Sequence, residues 1–116
     1  MKDSFWLGLE ALLRSTQIVI DRPRGSSHPR YPGLTYPLDY GYLEGTTGGD
    51  GHELDAWRGS LPEERVNAVV CTVDLLKKDG EYKLLVGCTE EEMGTIAEFH
   101  YNGKDMAALV VRREGR

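Results

Sequence analysis

Residues 4–14 place Phe5, Leu9, Leu12 and Leu13 at helical spacing, and Asp3 or Ser4 stands ready to cap the first exposed amides, so the pattern predicts a short amphipathic helix. Gln17 to Asp21 is apolar and β-branched, a strand that ends where Arg22 and Pro23 break the pattern. From Pro23 to Gly51 the chain is rich in proline, glycine and tyrosine and reads as a long structured loop, of the kind that is functional or packed by its own side chains. Val66 to Leu76 and Tyr82 to Cys88 are β-rich runs around an Asp79-Gly80 turn signal, hence a hairpin. A turn at Asp79-Gly80 pairs Cys71 with Cys88, Leu75 with Leu84 and Lys78 with Glu81. Alternation then puts Cys71, Val73, Leu75, Leu84, Val86 and Cys88 on one face, and Thr72, Asp74, Leu76, Lys83 and Leu85 on the other. Thr89 followed by Glu90, Glu91 and Glu92 is a capping box for a helix running to about His100, stopped by Asn102 and Gly103. Ala107 to Arg113 is a last strand.

With 116 residues there is room for one core, so residues 1–116 are read as one domain. Hydrophobic residues at 40% and charged residues at 28% describe a globule rather than a disordered tail, and no apolar run is long enough to span a bilayer. The formal net charge of -5 argues against a nucleic-acid binder, while leaving room for phosphate handled through a metal. The start, Met1 to Asp3 followed by Phe5 and Trp6, lacks the pattern of a signal peptide, which makes the cytoplasm the expected compartment. Cys71 and Cys88 fit no metal spacing and are expected to be buried free thiols.

Three stretches carry candidate chemistry. Asp50-Gly51-His52-Glu53-Leu54-Asp55 sets four groups able to ligate metal or accept a proton within six residues, after a glycine-rich turn that can fold them inward. Carboxylate oxygens suit Mg²⁺, whereas zinc wants more histidine or cysteine; a solvated acidic loop is the alternative. Asp21, Arg22, Arg24, His28 and Arg30 flank Gly25-Ser26-Ser27, where guanidiniums, hydroxyls and amides can converge on an anion, or the serines simply make local turns. Tyr36-Pro37-Leu38-Asp39-Tyr40-Gly41-Tyr42 is a rigid aromatic loop suited to packing on a barrel or sheet. Asp74, an acid in an otherwise apolar strand, is costly there unless a metal, lysine or water compensates it, and the assumed turn sets it diagonal to Lys83.

Taken in order, these stretches resemble the soluble inorganic pyrophosphatase family. Ile18 through Pro23 is similar to its strand ending in an acid and a proline, and Arg30-Tyr31 stands where the family has Lys-Tyr. Tyr36-Pro37 through Tyr42 resembles its tyrosine loop, Asp50 to Asp55 its Asp-Gly-Asp-Pro-x-Asp signature, and Val70 to Val86 its following hairpin. His52 and Glu53 replace the signature's middle aspartate and proline, and only Pro32 to Thr35 fill the place of a hairpin bearing a phosphate-binding arginine. The resemblance implies an α+β, mainly β fold: a small, closed or partly open OB-like barrel with an N-terminal helix and a helix after the central hairpin. It implies Mg²⁺-dependent hydrolysis of pyrophosphate or a related phosphoanhydride; a non-catalytic binding module on the same fold is the alternative. A barrel of this size commonly needs a partner to cover exposed apolar surface, so a homo-oligomer is expected, with no nucleic acid or membrane as partner. Asp50, Asp55, Asp74 and Asp79 are then the expected metal ligands, with Glu81 a rival to the last two. His52, Glu53 and Asp55 are the expected catalytic positions, and Asp21, Arg30, Tyr40, Lys83 and Lys104 the substrate-binding ones.

Overall fold

The computed structural model describes residues 2–114; Met1, Gly115 and Arg116, the ends of the expected domain, lie outside the described residues. The chain runs α1 (Lys2–Ser15), β1 (Ile18–Arg22), β2 (Asp39–Leu43), β3 (Asp55–Arg58), β4 (Val66–Asp74), β5 (Asp79–Val86), α2 (Glu90–Phe99) and β6 (Met106–Arg112). All six strands join one sheet in the order β1-β2-β3-β5-β4-β6, so the sheet is open, with β1 and β6 at its edges. Among the described residues only β3 and β5 are parallel neighbours. The result is the mainly β, α+β architecture expected, in its open rather than closed form.

Two apolar clusters sit on opposite faces of the sheet. Trp6, Leu9 and Leu13 of α1 pack with Leu43, Ala56, Val69 and Leu84 on one face. Met93 and Ile96 of α2 pack with Tyr36, Trp57, Val70 and Leu85 on the other. A helix on each face explains why the central strands are buried on both sides and read as continuous apolar runs. The α2 capping box forms in full: Glu92 N donates to Thr89 Oγ1 at 3.1 Å and Thr89 N donates to Glu92 Oε1 at 2.8 Å. Thr89→Ala should therefore cost about 1 kcal/mol, measured by urea unfolding.

Three expectations are corrected. First, the stretch read as loop from Pro23 to Gly51 contains β2, and β3 follows the acidic segment; neither strand shows the length or β-branching that marks one in isolation. Gly41 permits β2 to lie against β1, because a Cβ there would stand 1.8 Å from the Val19 carbonyl oxygen.

Second, the hairpin turns at Leu75–Lys78 and not at Asp79-Gly80. Asp74 Oδ1 accepts the amides of Leu76 and Lys77 at 3.0 and 3.1 Å, and Lys78 takes φ 58, so the turn is closed by Asp74 rather than by the Asp-Gly pair. Asp74 lies opposite Asp79 and Cys71 opposite Tyr82, six residues from Cys88. The slip is even, so Cys71, Val73, Leu84 and Val86 keep one face and Thr72, Asp74, Lys83 and Leu85 the other, but Cys88, beyond the end of β5, packs with Leu85 on the face opposite to the one expected, and Lys83 now stands opposite Val70 and is no longer diagonal to Asp74. Third, both cysteines are free, yet only Cys88 is fully buried, Cys71 being half-buried. Burial, then Glu92, pushes the Cys88 thiol up to about 12, which leaves it inert.

Candidate active site

The face covered at one end by α2 carries a polar cluster at the other. Tyr40 on β2 stands opposite Trp57 on β3, two residues from Asp55 and on the same face, and its hydroxyl donates to Asp55 Oδ2 at 2.5 Å. The parallel pairing of β3 with β5 brings Lys83 beside Asp55; Lys83 Nζ donates to Asp55 Oδ2 at 3.2 Å and to Glu81 Oε1 at 3.1 Å. The lysine side chain is only 9% exposed, against 34% for Asp55 and 28% for Glu81, so a nearly buried cation links two carboxylates that reach solvent. Its ammonium also sits 5.8 Å from the Tyr40 ring centroid. None of these three bonds uses Asp55 Oδ1 or Glu81 Oε2.

Burial, reinforced by the Asp55 charge, drives the Tyr40 phenol far above its ordinary value, so it is a donor and not a base. Beneath the cluster, the Trp57 indole donates to His100 Nε2 at 3.2 Å. Burial, and secondarily the Lys83 charge, brings His100 down to about 3, so the ring is neutral and accepts that bond with its proton on Nδ1.

Of the residues singled out by sequence, Tyr40, Asp55 and Lys83 converge, and Glu81, the rival to Asp74 and Asp79, joins them. The period-2 alternation back from Lys83 is the signal that identifies Glu81. The others lie elsewhere. Asp50, His52 and Glu53 are exposed on the loop before β3, where Asp50 Oδ1 accepts the His52 amide at 3.0 Å. Asp74 closes the hairpin turn, and Asp79 is exposed opposite it. Asp21 and Arg30 are exposed, as is Lys104, in the turn before β6.

Among the described residues no three His, Cys, Asp or Glu side chains form a group able to hold a metal, so the expected set of Asp50, Asp55, Asp74 and Asp79 does not assemble. The donors at hand, one free oxygen each on Asp55 and Glu81, fit Mg²⁺ in the manner usual for that ion, with one or two carboxylates and the rest of its shell from water and substrate phosphate.

No family model matches the sequence, and no curated protein matches it. Among solved structures, the fold is similar to the inorganic pyrophosphatase of Helicobacter pylori, 16% identical, with a TM-score of 0.60 over 82% of this chain and 81% of that one. It is also similar to an inorganic phosphatase from Anaplasma phagocytophilum, 17% identical, with a TM-score of 0.57 over 82% and 81% of the two chains. No helix is long and apolar enough to cross a membrane among the described residues. At this identity the likeness establishes a pyrophosphatase-like fold, and the chemistry has to be read from the side chains gathered at Lys83.

Proposed function

We propose that the chain hydrolyses a phosphoanhydride, pyrophosphate being the simplest, with Mg²⁺ bound between Asp55, Glu81 and the substrate. The Tyr40–Asp55–Lys83–Glu81 cluster carries this reading, and the fold shared with pyrophosphatases supports it. An ion held there supplies charge neutralisation on the phosphate oxygens and acidifies a bound water. Lys83 has three donors and spends two on carboxylates, leaving the third to meet a phosphate oxygen by a charge-assisted bond. Tyr40 and Lys83 hold Asp55 through Oδ2 and so fix the carboxylate, leaving Oδ1 to the ion.

Phosphate release from pyrophosphate is expected with Mg²⁺ and is expected to stop when the ion is chelated; no release at any divalent ion concentration would remove the hydrolase reading. His52→Ala should keep the rate within about twofold and the pH profile unchanged, because the ring is exposed on a loop outside the cluster. A rate that falls through the imidazole range and loses that dependence in His52→Ala would make His52 the proton acceptor instead.

A second reading, binding without turnover, is favoured by the exposure of both His52 and Glu53, the residues standing in the signature positions. It predicts calorimetric binding of pyrophosphate with no phosphate released. The homo-oligomer expected of so small a barrel is supported by the exposed apolar side chains Val73, Leu109 and Val111 on β4 and β6, and sedimentation would show it.

A further inference from the structure

The edge strand β1 carries a bulge beside the cluster. Ile20 stands opposite Gly41 and Arg22 opposite Tyr40, so Asp21 is the extra residue. Without it, Asp21 would face Tyr40; with it, Asp21 is exposed and Arg22 is re-aimed onto the site face. Residues directly opposite in such a pair have Cβ atoms about 5 Å apart. Arg22 Nη1 donates to the Tyr36 hydroxyl at 2.8 Å, and its guanidinium carbon lies 5.8 Å from the Tyr36 ring centroid. Tyr36 in turn stacks on Tyr40 at 5.4 Å. The two tyrosines thus hold the guanidinium in place.

No carboxylate lies within ion-pairing distance of Arg22 among the described residues, whereas Lys83 has two. The corner around it is positive as well. His28, stacked on Tyr36 at 5.8 Å, is held below its ordinary value first by burial and then by Arg22, Lys77 and Arg30. An oriented arginine with unspent donors and no ion-paired carboxylate can take up an anion, the Asp21 charge beside it acting only at longer range.

We propose that Arg22 is the second cation of the phosphate site, binding the phosphoryl group that Lys83 does not, and that the β1 bulge selects it over Asp21. This deepens the proposed function and rests on it. Arg22 on β1 and Lys83 on β5 are separated by β2 and β3, three strand spacings or roughly 14 Å between backbones. Lys83 reaches Asp55 and the Tyr40 ring from one side, and Arg22 reaches Tyr36, which stacks on Tyr40, from the other. Such a span fits a ligand with two anionic groups and gives orthophosphate no use of both cations.

The test is calorimetric titration of the full chain with pyrophosphate and, separately, orthophosphate, both with Mg²⁺. Arg22→Gln is expected to weaken pyrophosphate binding at least tenfold while leaving orthophosphate binding unchanged, and Arg22→Lys to recover part of the loss. Arg24→Gln, the same charge change on an exposed neighbour, should bind both as the wild type does; thermal unfolding confirms that each variant is folded. Pyrophosphate affinity unchanged in Arg22→Gln, or both anions weakened equally, overturns the assignment. If wild type binds pyrophosphate and loses it only in Lys83→Met, the Arg22 assignment fails and the proposed function stands; if wild type binds no pyrophosphate, both fail.

Discussion

Lys83→Met is expected to lower pyrophosphate hydrolysis by about 100-fold or more, the scale seen when a donor aimed at developing charge is removed. Methionine keeps an unbranched apolar side chain of similar length, so the change isolates the ammonium, which sits 5.8 Å from the Tyr40 ring centroid. Asp55 and Glu81 then lose the cation they share, and two partly buried carboxylates are left to repel one another. Lys83→Arg, which restores charge but not the compact ammonium, should recover only part of the rate. A Lys83→Met enzyme with wild-type turnover would make the cluster a structural ion pair and nothing more.

His100 is expected to make the fold acid-sensitive well above the pH at which carboxylates protonate. In the unfolded chain an imidazole titrates near 6.5, while burial against Trp57 holds the folded one at about 3. Between these values the unfolded chain binds a proton that the folded chain refuses. Stability is therefore complete above about pH 6.5 and falls as the pH drops toward 3, by up to about 1.4 kcal/mol per unit. By pH 4.5 the loss should reach about 2–3 kcal/mol. His100→Gln keeps an acceptor for the indole and removes the titration, so its stability should be nearly flat between pH 6.5 and 4.5. Urea unfolding at steps of pH measures both slopes, and parallel curves for the two proteins would exclude His100 as the cause.

Local patterns located the helices and the long strands because each signal is short in range. The stripe of Leu9 and Leu13 marks α1, and Thr89 with Glu92 marks the start of α2 within the residues that form the cap. Strands β2 and β3 escaped because their four or five residues hold glycine, aromatics and charges, and become strands only by pairing with β1 and β5. At the site, Tyr40, Asp55 and Lys83 were legible as residue types, and their meeting required the parallel β3–β5 pairing, which no local signal encodes. Asp50, Asp74 and Asp79 look equally chemical in sequence, but Asp50 and Asp74 spend carboxylate oxygens on their own backbone turns.

What the chain alone determined is therefore the set of faces. Side chains alternate with period two along β4 and β5, so the partition between the apolar side and the side bearing Thr72, Asp74 and Lys83 survives a turn placed wrongly by an even number of residues. Tertiary structure decided the register and the neighbours: Asp74 closes the turn in preference to Asp79-Gly80, and one extra residue in β1 exchanges Asp21 for Arg22 opposite Tyr40. Both outcomes follow from hydrogen-bond pairing between strands distant in sequence, where a single inserted residue reverses which side chain faces the site.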